Sequence, residues 1–142
     1  MKVDIGPYKP FSASSNKSNR RKIKVHVDRY DTFSLDHTLA LVILPCLIQL
    51  RKSQQGIPVI KETEVDPNQE SFDFGDDLES MQYEKNTQTW NEIIDKMIWS
   101  FQQLTINYKK GFDVSSEART LYEERIQEGL TLFGIYYLAL WE

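Results

Sequence analysis

The chain's two histidines stand among its densest set of polar side chains: His26, Asp28, Arg29, Asp31, Asp36 and His37 fall within twelve residues. Residues of these types support three chemistries. The first is metal ligation. Imidazole and carboxylate groups bind zinc or manganese, His26 and Asp28 are two apart and so share a strand face, and Asp36 with His37 would approach from a following helix. The spacing matches no specific metal motif. The second is anion recognition, carried by Lys24, Arg29, Tyr30, His37 and Thr38. A helix N-terminus offers free N–H groups, Thr38 a hydroxyl, Arg29 a planar fork, and Lys22 and Lys24 further charge, while Tyr30 and Phe33 are rings on which a base can stack. The third is purely structural. Asp31, Thr32 or Ser34 caps a helix, Asp28 pairs with Arg29 or a lysine, and His37 bonds a backbone carbonyl.

Catalysis has little to stand on. No Gly-x-Ser-x-Gly, P-loop or dinucleotide fingerprint is present, and no cysteine stands beside a poised histidine. The reading is a binding protein with no cofactor rather than an enzyme. A metal-dependent hydrolase at His26, Asp28, Asp36 and His37 is the exception that ligand chemistry leaves open.

These residues are positioned by elements that the hydropathy pattern outlines. Residues 2–5 and 22–28 alternate polar and apolar, the period of half-buried strands that pair with each other. Ile23, Val25 and Val27 then share one face; Lys22, Lys24, His26 and Asp28 share the other. Between the strands, residues 9–21 have the composition of a flexible loop. A helix begins near Ser34 with Asp36 in its first turn. From Leu39 to Leu50 it is apolar almost all round, which predicts a central helix covered on several sides, with a kink or break at Pro45 and Cys46 as a small buried hydrophobe. Gly56 and Pro58 end it.

Residues 57–88 hold nine acids against two lysines and show no sustained period, which predicts a second flexible loop. Thr89-Trp-Asn-Glu92 then matches a capping box. Trp90, Ile93, Ile94, Met97, Ile98, Phe101 and Leu104 follow at helical spacing, a stripe for which the first helix is the obvious partner. After Lys109-Lys110-Gly111 a last helix starts near Ser115-Ser116-Glu117. Its end, Leu130 to Trp141, is apolar on every side, so it is either central or meets another copy of the chain. Tyr136, Tyr137 and Trp141 suit an interface as well as a core. Gly129 and Gly134 weaken that helix unless close packing requires them. The fold class expected is α+β, a two-stranded sheet packed with three helices in a single domain over residues 1–142.

Charge is distributed unevenly along the 142 residues. The first thirty carry eight lysines and arginines against two aspartates, a net +6, so the remainder carries −10 of the total −4. Such a basic pole attracts phosphorylated small molecules or acidic partners, and the overall acidity argues against a dedicated duplex nucleic-acid binder. With one cysteine no intramolecular disulfide forms. The longest apolar run, Leu39 to Ile48, is too short to span a bilayer, and the start lacks the apolar core of a signal peptide.

Longer blocks of sequence carry a resemblance. Ile5-Gly-Pro-Tyr8, Asp28-Arg-Tyr-Asp-Thr-Phe-Ser-Leu-Asp-His-Thr-Leu-Ala-Leu-Val-Ile-Leu-Pro-Cys-Leu47, Ile48-Gln-Leu-Arg-Lys with Gly56-Ile-Pro58, Trp90-Asn-Glu-Ile-Ile-Asp-Lys-Met-Ile-Trp-Ser-Phe101 and Gly129-Leu-Thr-Leu-Phe-Gly-Ile-Tyr-Tyr-Leu-Ala-Leu-Trp-Glu142 together span the chain. The chain resembles an uncharacterised family of small proteins encoded by tailed bacteriophages. Members often carry a longer, Trp-rich segment where this chain has only Lys9 to Arg21. The resemblance implies a phage origin and the bacterial host cytoplasm as the place of action. With that context the expected function is that of an accessory protein that binds, either sequestering a host nucleotide immune signal or inhibiting a host defence protein. The expected partners are therefore a nucleotide-type small molecule or a host protein, with a homo-oligomer formed through the C-terminal helix. A structural or assembly component of the virion is the alternative.

Overall fold

The computed structural model describes residues 1–6, 22–53, 56–58, 75–106 and 116–141. It is an α+β chain, and its described residues are mostly helical, with one two-stranded antiparallel sheet and three α-helices among them. Strand β1 is Lys2–Ile5 and β2 is Ile23–His26; α1 is Leu35–Ser53, α2 Gly75–Ile106 and α3 Ser116–Ile135. A short 3-10 turn, Arg29–Thr32, leads into α1, and another, Tyr137–Ala139, follows α3. The contacts of the chain fall into two compact units, Met1–Leu39 and Ala40–Glu142.

In the first unit the strands pair in the register Lys2 with His26, Val3 with Val25, Asp4 with Lys24 and Ile5 with Ile23. This sets Val3, Ile5, Ile23 and Val25 on one face and the charged residues on the other, as the alternation predicts. The apolar face is exposed, from 37% at Val3 to 63% at Ile23. Ser34 stands at the N-cap of α1, its carbonyl accepting the Thr38 N–H at 3.0 Å. The loop expected at 9–21 lies outside the described residues.

In the second unit the core belongs to α2. Trp90, Ile94, Met97 and Phe101 are buried, and Ile93, Ile98 and Leu104 pack beside them, which is the stripe that the periodicity marks. The main partner of α2 is α3. Ser100 is fully buried where they meet; its hydroxyl has the carbonyls of Lys96 at 3.1 Å and Arg125 at 3.3 Å as acceptors. Opposite it is Gly129, where an added Cβ would lie 2.0 Å from Ser100 Oγ and 2.6 Å from the Lys96 carbonyl. Close packing thus accounts for Gly129. It does not account for Gly134, whose Cβ position, apart from its own turn of helix, has no atom of the described residues within 4 Å.

Four expectations are corrected. α1 is not covered on several sides: Ala40 and Leu47 are buried with Ile43 and Leu44 packed nearby, but Leu39, Leu41, Cys46 and Ile48 are exposed. Only one stripe of it is needed to cover α2, so its uniform hydropathy overstates its burial. Of the kink or break expected at Pro45 the break does not occur: the helix continues through this residue, which lies on the exposed side, where water can satisfy the carbonyl that proline deprives of a donor. The acidic loop at 57–88 is helical from residue 75 onward, and Thr89 is no cap, since its hydroxyl donates to the Lys85 carbonyl one turn back at 2.9 Å. Met81 and Tyr83 are exposed, as are all of residues 81–85, which therefore offer no buried stripe for a periodicity search to find.

Candidate functional site

The polar cluster of the first unit is built around two aspartates that cap each other's turn. Asp28, in extended conformation, accepts the Tyr30 N–H on Oδ1 at 3.0 Å, and Asp31 Oδ2 accepts the Asp28 N–H at 2.6 Å. Asp31 Oδ1 also takes the ammonium of Met1 at 2.6 Å. These donors hold the Asp31 carboxyl below its ordinary value of 3.8, the ammonium hydrogen bond first and the Asp28 N–H next, with the charge of His26 adding to them. Burial works the other way and is outweighed.

The five residues expected to bind an anion are distributed over three pieces of this unit. Lys24 stands opposite Asp4 in the ladder. Arg29 and Tyr30 form the start of the 3-10 turn, where the Arg29 carbonyl accepts from Thr32 Oγ1 at 2.8 Å. His37 is half-buried in the first turn of α1. Thr38 spends its hydroxyl proton on the Asp31 carbonyl, at 3.0 Å, which ties the turn to the helix. The feature that suits a ligand is the pair of rings beside Arg29. Tyr30 and Phe33 are 77% and 78% exposed, with centroids 6.1 Å apart and planes within 18° of parallel.

The metal reading fails on geometry. His26, Asp28, Asp36 and His37 are not gathered into a coordination set, and among the described residues no three His, Cys, Asp or Glu side chains group so as to hold an ion. Asp28 and Asp31 instead serve the backbone.

A second candidate lies in the other unit, where α1 and the C-terminal segment enclose an open groove of about 630 Å³. One wall is Ile43, Pro45, Cys46, Leu47, Gln49, Leu50 and Ser53; the other is Phe133, Tyr137, Leu140 and Trp141. The sequence reading missed this wall of α1 because it treated the helix as enclosed. The available signal was the stripe Cys46, Gln49, Leu50, Ser53, whose mixed polarity at helical spacing suits a half-open wall better than a core. The aromatic wall was partly legible.

The apolar C-terminal run divides its roles. Phe133 sets its ring edge-to-face on Phe101 at 5.0 Å and on Tyr137 at 5.6 Å, and Tyr136 meets buried Trp90 in the same manner at 5.2 Å. Ile135, Tyr137, Leu138 and Trp141 face outward, Leu138 being 92% exposed. Cys46, expected to be buried, is an exposed thiol on the groove wall that donates to the Val42 carbonyl at 3.3 Å.

No helix among the described residues is long and apolar enough to cross a membrane. No family model matches the chain, and neither a curated protein nor a solved structure does.

Proposed function

We infer that the chain is a binding protein, an accessory factor of a tailed bacteriophage that engages a host defence protein through the groove between α1 and the C-terminal segment. The observation that carries this reading is the open apolar groove lined by exposed Tyr137 and Trp141, with exposed Leu138 next to Tyr137 in the chain. Aromatic anchors beside an apolar slot are the features that dominate protein recognition energies. The phage context comes from the sequence blocks that resemble such proteins.

Cys46, the chain's one cysteine, makes the test direct. A photoreactive group attached there in the full chain should cross-link to one discrete host protein in infected cells. Leu138→Asp should abolish that adduct while leaving the melting temperature unchanged, since Leu138 is almost wholly exposed. An adduct pattern indifferent to Leu138→Asp defeats the reading.

A second reading places a nucleotide-type ligand at Arg29, favoured by the exposed rings of Tyr30 and Phe33 and by the engagement of Asp28 and Asp31 with internal donors. Native mass spectrometry separates it from the first. A retained nucleotide mass that Arg29→Ala removes belongs to the second reading alone.

A further inference from the structure

The outer edge of β1 carries hydrogen-bonding groups and a charge pattern that complements itself. In the ladder, Gly6 N–H donates to the Lys22 carbonyl at 2.8 Å, which marks Gly6–Lys22 as a hydrogen-bonded pair. Such pairs alternate with non-hydrogen-bonded ones in antiparallel sheets. Asp4–Lys24 and Lys2–His26 are therefore hydrogen-bonded pairs too, and Val3 and Ile5 turn their N–H and C=O groups away from β2. Among the described residues the sheet ends there, with β1 as an edge strand.

An antiparallel strand added to this edge must set outward-facing residues against outward-facing residues. For a second copy of β1 related by a two-fold axis, the register centred on Lys2 faces lysine to lysine, and the register centred on Asp4 faces aspartate to aspartate. The register centred on Ile5 joins no opposite charges and runs into Pro7, which has no N–H to give. Only the register centred on Val3 satisfies both requirements. It joins Val3 to Val3 by hydrogen bonds and sets Lys2 opposite Asp4 of the second copy on either side, at the closely spaced positions where side chains interact best. The outer edge of β2 lacks this property, because the two registers that overlap most of it set Lys24 against Lys24 or against His26.

We propose that two copies of the chain join through the outer edge of β1, in antiparallel register centred on Val3, as a four-stranded sheet in the order β2-β1-β1-β2. The pairing answers a need of the fold as well. A two-stranded ribbon is marginal in water, and this one has its apolar face exposed, whereas four strands make a sheet of independent stability. The inference stands apart from the groove, which belongs to the other unit.

Sedimentation of the full chain from micromolar to millimolar concentration tests it. The wild type should form a dimer. Lys2→Glu and Asp4→Lys should each weaken it about tenfold or more, since each sets like charges face to face twice. Mixed in equal amounts, the two variants should recover the dimer, because every contact in the mixed pair then joins opposite charges. Val3→Pro removes an outward N–H without touching the β1–β2 bonds and should also dissociate it. In a Cys46→Ser background, Val3→Cys should oxidise to a linked dimer, as hydrogen-bonded pairs hold Cα atoms about 5.5 Å apart, within disulfide reach. A monomeric wild type overturns the proposal. So does an assembly that Lys2→Glu and Val3→Pro leave intact, or a failed rescue together with an unlinked Val3→Cys chain.

Discussion

Asp31 does three things at once at the root of the ribbon: one oxygen holds an ammonium, the other a backbone N–H, and its carbonyl holds Thr38. Its carboxyl titrates below the ordinary 3.8, so the folded state prefers the ionised form and the stabilisation is fully present above that value. It is lost as pH falls through the lower, folded value. An acid titration followed by the amide shift of Asp28, whose N–H Asp31 accepts, should therefore show one transition below pH 3.8, absent in Asp31→Asn, and a transition at the ordinary value would refute the arrangement. The types of residue needed for such a cap were legible in the sequence; the pairing was not. Aspartates at 28 and 31 satisfy a cap, a metal site or an ion pair equally well on paper. The choice between them depends on where the backbone N–H groups point, and hydropathy carries no such information.

Among the elements, the contrast between Gly129 and Gly134 is the most testable. At Gly129 a methyl group meets Ser100 Oγ at 2.0 Å and the Lys96 carbonyl at 2.6 Å, and the second of these is backbone that cannot swing aside. Gly129→Ala should therefore destabilise the chain by about 1–3 kcal/mol in thermal or denaturant unfolding, the usual cost of overpacking. Ser100→Gly should restore only part of it. The ion pairs that α2 makes with its neighbours, Lys96 with Glu128 of α3 and Asp95 with Arg51 of α1, are half-exposed and should matter far less. The α2 stripe was readable because burial imposes a 3.6-residue period from Trp90 onward. Residues 81–85 were not, because an exposed stretch of helix needs no such period and is supported by local side-chain bonds such as Gln82 to Asn86. Hydropathy misled in the opposite sense at α1, where apolar residues remain on the outside.

The molecule as a whole leaves much apolar surface to water in each of its two units: the ribbon face in one, and in the other the groove with Leu138 and Trp141 beside it. Folding by itself does not require this, and scattered apolar residues would not attract comment. Gathered as they are, they suit a chain that completes itself against other molecules. Gly134 sharpens the point. In α3 it sacrifices about 1 kcal/mol of helix propensity relative to alanine, and no neighbouring atom among the described residues explains its choice. Gly134→Ala should accordingly raise the unfolding free energy by about that amount, a gain that chemical denaturation will show and that a hidden steric conflict would reverse. What the alanine would remove is bare helix backbone at the surface. A visiting chain can press against that spot more closely than any methyl group permits, so a variant sturdier in isolation would be the poorer host.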